Sequence, residues 1–381
     1  MESTGSPDIC IKKPIKRVLL GMSGGVDSSV AALLLQEQGF DVVGVTLKLW
    51  AESDDLVPAA RGSKTCCSLD DVLDARKVAD RLGIPHYVFN FKELFHDSVV
   101  QPFIDEYRQG RTPNPCILCN QTIKFELMMQ RAMALGFDAI ATGHYARIAQ
   151  DPVTGAFSLL RGQDPGKDQS YVLYGLSQEQ LSRVLFPLGG YRKEEIRAIA
   201  AARGLVNAKK PDSQEICFID DEGYQAFLQR CQATGEPGDF VDRDGKVIGR
   251  HQGIGCYTIG QRKGLGQAFG SRVFVTAIDP VRTQIQLGPE QDLMRSVLVA
   301  DHISHTGLRP LVGPGSGPLA ITARIRYQAK PAAALLTPLD DNQVRLDFTE
   351  PQRAITPGQA VVFYQDDLVL GGGRILLSRV S

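Results

Sequence analysis

The sequence predicts an α/β fold: a doubly wound parallel sheet, then a small central domain and a C-terminal β-barrel. Three observations predict it. Short apolar runs alternate with helix-length segments from residue 17 to residue 148, the pattern of βαβ units. After Gly235 the texture changes to dense Gly and Pro with short alternating strands, which reads as sheets or a barrel. The chain is also too long, at 381 residues, for one ordinary core. The expected division is a disordered lead-in over 1–16, an α/β domain over 17–212, a central β-rich domain over 213–287 and a barrel over 288–381.

"RVLLGM" is a nearly continuous apolar run, as a strand buried on both faces should be. "SGGVDSS" is a turn, and "VAALLLQEQG" is a helix stopped by Gly39. "FDVVGVTLKLW" is the second strand. "SLDDVLDARKVADRLG" is a helix with Ser68 as N-cap and Gly83 as stop. "PHYVFNF" is the third strand. "KELFHDSVVQPFIDEYRQG" and "NQTIKFELMMQRAMALG" are helical, and "FDAIATGHYARI" is the fourth strand. Two helices follow, "SQEQLSRVL" and "YRKEEIRAIAAARG". The β-rich end holds "KVIGRH", "RVFVTAID", "TQIQLG", "LAITARIRYQ", "NQVRLDF", "AVVFYQ" and "LVLGGGRIL".

A hydrophobic fraction of 43% and a charged fraction of 22% are those of a soluble globular protein. No apolar run reaches the roughly 18 residues of a membrane helix. "MESTGSPDICIKKP" has no apolar signal core. The expected location is the cytoplasm, with no membrane partner. There the eight cysteines are not a disulfide framework. A formal net charge of −1 gives no whole-molecule attraction for nucleic acid, so any such contact needs a local basic patch.

"GMSGGVDSSV" follows a strand and opens a helix. Gly24 and Gly25 let the backbone approach an anion, and Ser23, Ser28 and Ser29 offer hydroxyls. The amides of a first helical turn favour negative charge. Asp27 would repel a phosphate unless it holds a Mg²⁺ that bridges phosphates. A bare Gly-Gly is commonly a plain turn, but this serine-rich loop between strand and helix reads as a phosphate site. The loop has no lysine and is not the G-x-x-x-x-G-K-[ST] form, which argues against a GTPase or an ordinary kinase. In "RTPNPCILCN", Cys116 and Cys119 are spaced C-x-x-C. The stretch alone admits metal ligands, a redox pair, or a nucleophile with a neighbour. Lys209, Lys210, Arg262 and Lys263 are candidate phosphate contacts, although an exposed lysine is ordinarily just solvated.

The loop resembles the PP-loop of the N-type ATP pyrophosphatases, a Rossmann-like group that cleaves ATP between the α- and β-phosphates. Further blocks narrow the resemblance: "GRTPNPCILCN" with "IKF", "ATGHYAR", "LLRGQDPGKDQSYVLY", "KKPDSQEICFI" and "YTIGQRKGLG". Together, from residue 17 onward, they are similar to the tRNA-specific 2-thiouridylases, which place sulfur on C2 of the wobble uridine. The resemblance implies ATP at Gly21, Met22, Ser23, Gly24, Gly25, Val26, Asp27 and Ser28, with Leu47 and Gly143 at the adenosine. It implies Cys119 as nucleophile and Cys217 as persulfide carrier. Asn114, Pro115 and Cys116 would border the target base. His144, Lys167, Asp168, Gln169, Arg326, Tyr327 and Gln359 would contact tRNA. The implied partners are tRNAs reading Lys, Glu and Gln codons, and a cysteine desulfurase or relay protein as sulfur donor.

The chemistry is coherent. A uridine carbonyl is a poor electrophile; AMP on O2 makes that oxygen a leaving group. A persulfide then supplies sulfur, and a second cysteine breaks the S–S bond, which needs thiolate character. Cys119 is expected at a helix start, where the dipole lowers a thiol's pKa, and Cys217 follows two lysines. The uridine must leave its stack, with His144 and Tyr145 as expected stackers. One departure stands out. Many family members have aspartate where this chain has Cys116, so Cys116, Cys119 and Cys217 form a candidate iron–sulfur ligand set with an open position. Cys66 and Cys67 read as structural, or at most redox-sensitive, and His86 as packing. The rival readings are a PP-loop amide synthetase, which has no use for Cys119 and Cys217, and an RNA-binding protein with a vestigial nucleotide site.

Overall fold

The computed structural model describes residues 15–50, 69–212, 216–219, 222–307, 310–313, 315–339 and 342–376. The expected lead-in before residue 15, the Ser68 cap and the Cys66–Cys67 pair lie outside the described residues. Four elements set up the first layer: β1 (Arg17–Gly21), α1 (Val26–Glu37), β2 (Asp41–Lys48) and α2 (Leu69–Leu82). With β3 (His86–Asn90), β4 (Ala139–Ala141) and a two-residue strand at Val184–Leu185, the strands form a sheet in the order β3-β2-β1-β4-(184–185). Every pairing in it is parallel.

Val18, Leu19 and Leu20 in β1 are at most 1% exposed, which is why that run is apolar at every position. Helix α1 is buried along most of its length, so it too is apolar nearly all round. Strand order reverses between β1 and β4. A crevice at such a switch point, beyond the carboxyl ends of the strands, is where ligands bind in open α/β sheets. The Ser-Gly-Gly turn leaves β1 at that point.

The expected fourth strand is two strands. β4 ends at Ala141, and β5 begins at Ala146 and runs to Gln150. The break falls at Gly143, where an added Cβ would lie 3.0 Å from the Ser28 amide nitrogen and 3.1 Å from the Asp27 carbonyl carbon. The chain presses on the start of α1 there and must turn away. β5 then pairs with β6 (Phe157–Arg161), and β6 meets the last barrel strand at Leu160 and Leu368. Sequence periodicity could not see that this hairpin leaves the parallel sheet.

The central region is a four-stranded sheet built from Gly238–Val241, Val247–His251, Phe274–Asp279 and Gln284–Gly288. The C-terminal strands Met294–His305, Val344–Arg353, Ala332–Pro338, Leu319–Arg324, Ala360–Gln365 and Leu368–Ile375 pair in that order. Antiparallel pairing of the first with the last closes the barrel, which leaves no edge among these strands. Among the described residues, no helix is long and apolar enough to cross a membrane.

Candidate active site

The phosphate turn is held by its neighbours. Gly24 has φ +72°, and an added Cβ would lie 2.3 Å from the Asp71 carbonyl oxygen. Asn207 Nδ2 donates to the Gly24 carbonyl at 2.9 Å and to Ser29 Oγ at 2.8 Å. The Ser23 amide donates to Ser28 Oγ at 3.3 Å. Thr46 Oγ1 donates to the Met22 carbonyl at 2.7 Å. Residues from β2, α2 and the segment after residue 205 thus fix a turn whose glycines keep it free of side chains.

Asp27 is the charged centre of this region. Lys193 Nζ lies 2.7 and 2.9 Å from its two carboxylate oxygens. The Tyr145 hydroxyl donates to it at 2.7 Å. Lys193 also bonds Asp212 at 2.8 Å, and Asp212 receives Lys167 at 2.7 Å and Arg197 at 2.9 Å. Lys167, Lys193 and their hydrogen bonds hold the Asp212 carboxyl below its ordinary pKa, against the opposing effect of burial. Burial and the Asp27 carboxylate hold the Tyr145 phenol far above its usual pKa, so it stays a hydrogen-bond donor. Magnesium ordinarily takes one or two carboxylates and the substrate's phosphates. Asp27 fits that mode once Lys193 yields an oxygen.

Sequence reasoning missed Lys193, Asp212, Asn207 and the hydroxyl role of Tyr145. They lie far from the turn in sequence, and no spacing links them to Asp27. Lys210, a candidate phosphate contact, instead bonds Asp71 at 2.7 Å and Asp74 at 2.9 Å. Burial opposes its charge, but the two carboxylates raise its pKa.

The cysteine loop is built differently from the expectation. The helix begins at Pro115, with Asn114 as N-cap accepting from the Cys116 amide at 3.2 Å. Proline at the first helical position costs no hydrogen bond. Cys116, not Cys119, therefore sits in the first turn. Cys119 lies a turn further in, 8% exposed, where the helix widens into a π-helical stretch over Cys119–Leu127. Such irregularities frequently mark functional positions.

Cys119 is part of an apolar cluster that includes Leu47 and Phe218 and against which Cys217 packs. Phe218 is 2% exposed and lies 5.8 Å from Phe95, 5.2 Å from Phe103 and 5.5 Å from Phe227, ring centre to ring centre. This wedge fixes Cys217 beside the same core while leaving it partly exposed. Cys116 faces solvent. Among the described residues no three His, Cys, Asp or Glu side chains gather to hold a metal ion. The donor set Cys116, Cys119 and Cys217 therefore does not fit an iron–sulfur cluster in this arrangement.

The barrel reaches back to the cysteine loop. Gln359 Nε2 donates to the Thr112 and Pro113 carbonyls at 3.0 and 3.2 Å. The Thr112 amide donates to the Pro357 carbonyl at 2.9 Å. Arg374 bonds Asp301 at 2.9 Å and also lies 3.5 Å from Glu106, the partner of Arg111. In the sequence Gln359 was a candidate RNA contact; here it is first a strut for the loop.

The other expected RNA contacts divide. His144 is buried, Nδ1 2.7 Å from Thr142 Oγ1, with Phe125 and Phe186 at ring distances of 5.8 and 6.0 Å. Burial, with Lys124 nearby, keeps it neutral. Tyr145 is 2% exposed. Neither can stack on a base in this conformation, because both serve the interior. Asp168 is 5% exposed, accepts from the Gly162 and Ser170 amides and pairs with Arg324 at 3.0 Å. Gln169 accepts from the Tyr145 amide at 3.0 Å. Arg326 bonds the carbonyls of Arg353 and Ala354. Tyr327 remains 37% exposed, and burial, with the Asp168 carboxylate, raises its phenol's pKa.

A family model described as the tRNA methyl transferase HUP domain matches residues 16–221. Models for a PRC-barrel domain and an aminomethyltransferase β-barrel domain match residues 225–289 and 296–375. Curated proteins named tRNA-specific 2-thiouridylase MnmA match across nearly the whole chain. The protein from Heliobacterium modesticaldum is 52% identical over 94% of this chain and 92% of its own length. The one from Moorella thermoacetica is 52% identical over 94% and 98%, and that from Clostridium perfringens is 50% identical over 94% and 98%. The chain belongs to the tRNA-specific 2-thiouridylases. A site with a phosphate turn and two cysteines in one cluster suits that name better than the methyl transferase description.

Proposed function

We propose that this protein is an ATP-dependent sulfurtransferase that converts the wobble uridine of tRNA to 2-thiouridine. The observation that carries the reading is that one α/β domain holds both parts: the phosphate turn with Asp27 between β1 and α1, and Cys119 in the apolar core against which Cys217 packs. This supports nucleotide and sulfur chemistry on the same domain.

The turn amides and the start of α1 bind the ATP phosphates, and Asp27 would hold a Mg²⁺ that neutralises phosphate charge. Uridine O2 attacks the α-phosphorus and pyrophosphate leaves. The terminal sulfur of a Cys217 persulfide attacks C2 and AMP leaves, giving a C2–S–S–Cys217 link. The Cys119 thiolate attacks Cys217 Sγ, forming a Cys119–Cys217 disulfide and releasing 2-thiouridine. A dithiol reductant then restores both thiols. Tyr327 offers its partly exposed ring to the unstacked uridine. The tRNAs expected are those for Lys, Glu and Gln, the donor is a persulfide protein, and the setting is the cytoplasm.

The test separates the two half-reactions. The wild type should release pyrophosphate from ATP only when tRNA and Mg²⁺ are present. Cys217→Ala should keep that release and lose sulfur incorporation, read by mass analysis of the tRNA. No tRNA-dependent release by the wild type would refute the function. Loss of release in a folded Cys217→Ala protein would remove Cys217 from the role of sulfur carrier alone.

A further inference from the structure

Four charged side chains form an unbroken row of alternating sign. Lys167 Nζ is 2.7 Å from one Asp212 oxygen, and the other Asp212 oxygen is 2.8 Å from Lys193 Nζ. Lys193 Nζ is in turn 2.7 Å from Asp27. Lys193 and Asp27 lie inside the phosphate site, with the Lys193 side chain 10% exposed. Lys167 is the outer end, 36% exposed, on the loop between β6 and the helical turn Ser170–Val172. Arg197 is a further cation on Asp212, and Tyr145 a further donor to Asp27.

We propose that Asp212 and Lys193 are positioning residues that couple RNA binding at Lys167 to nucleotide binding at Asp27. This rests on the function proposed above. Lys193 is shared between two carboxylates, and it sits on the Asp27 oxygens that Mg-ATP needs. An RNA phosphate that takes Lys167 removes one cation from Asp212. Asp212 then attracts Lys193 more strongly and draws it from Asp27. The freed carboxylate receives Mg-ATP. Binding of each substrate thus favours the other, as thermodynamic reciprocity requires. The row also gives a reason for ATP to be spent only when RNA is present.

The experiment measures the affinity of Mg²⁺ with an α,β-methylene analogue of ATP, with and without a saturating unmodified tRNA transcript carrying uridine at the wobble position. The wild type should bind the analogue about five-fold or more tighter with tRNA. Asp212→Asn keeps the shape but removes the charge that links the two lysines. It should bring the ratio to about one while the protein still binds tRNA and melts as a folded protein. Asp212→Glu should recover part of the ratio. In a double-mutant comparison, Lys167→Gln added to Asp212→Asn should change the ratio no further. A full ratio in Asp212→Asn overturns the proposal, as does a ratio of one in the wild type. Failure of the wild type to bind tRNA at all refutes the function instead.

Discussion

Gln359→Ala tests whether the barrel holds the cysteine loop in its working geometry. The side chain makes two hydrogen bonds from one amide nitrogen, to the Thr112 and Pro113 carbonyls. Each is worth about 0.5–1.5 kcal/mol net. The site is partly exposed, so the abandoned carbonyls regain water and the lower half of the range applies, giving about 1–2 kcal/mol for the pair. The Thr112–Pro357 bond remains, so the loop loosens without leaving. At about 1.4 kcal/mol per factor of ten, single-turnover sulfur transfer should slow about five- to thirty-fold. Analogue binding at the phosphate turn should not change, since none of its contacts involve Gln359. Gln359→Glu should be worse than alanine, because it sets a carboxylate against two carbonyls. Unchanged transfer in a Gln359→Ala protein that is weakened only in tRNA affinity would refute the strut and make Gln359 a plain RNA contact. An unchanged transfer rate in Gln359→Glu would refute it as well.

Asp168→Ala should cost about 3–5 kcal/mol of stability, because it leaves the Arg324 guanidinium, 12% exposed, without its buried carboxylate. Denaturant unfolding checks it, and a loss below about 1 kcal/mol would contradict the interior role. Gly24→Ala should lower the melting temperature and weaken ATP binding together. Its φ of +72° is unfavourable for alanine by about 1–2 kcal/mol, and the new Cβ would lie 2.3 Å from the Asp71 carbonyl oxygen. His144 has a folded pKa well below 6.5, mainly through burial. The unfolded chain therefore binds more protons, and stability should fall as pH drops below about 6.5. His86 and His251 are shifted the same way, again mainly by burial, so His144→Asn should flatten part of that slope, not all of it, in unfolding curves from pH 7 to 5.

Much of the site was legible in the chain. "SGGVDSS" could be read because a phosphate turn is local: its glycines, hydroxyls and helix start are consecutive residues. The parallel sheet was legible because strands buried on both faces are apolar at every position. The helix around Cys119 was legible too, but its starting point was not. Asn114 and Pro115 open the helix before Asn120, where the pattern predicts its start, so the helix dipole acts on Cys116 and not on Cys119. "ATGHYARI" misled for a related reason. Its β-like composition is real, but Gly143 meets the start of α1 and turns the chain into another sheet.

By itself the sequence determined what is encoded in neighbouring residues or in whole ordered blocks: the phosphate turn, the two cysteines, the α/β-then-β order and the family. Tertiary structure alone decided what depends on side chains far apart in the chain. It placed Lys193 on Asp27 across 166 positions and Gln359 on Thr112 across 247. It buried His144, Tyr145 and Asp168, which composition would leave at the surface. It also left Cys116 exposed while lodging Cys119 in the core. The physical reason is one of range. Backbone preferences and helix starts are set within a few residues, whereas charge pairing and burial are set by packing that no local pattern records.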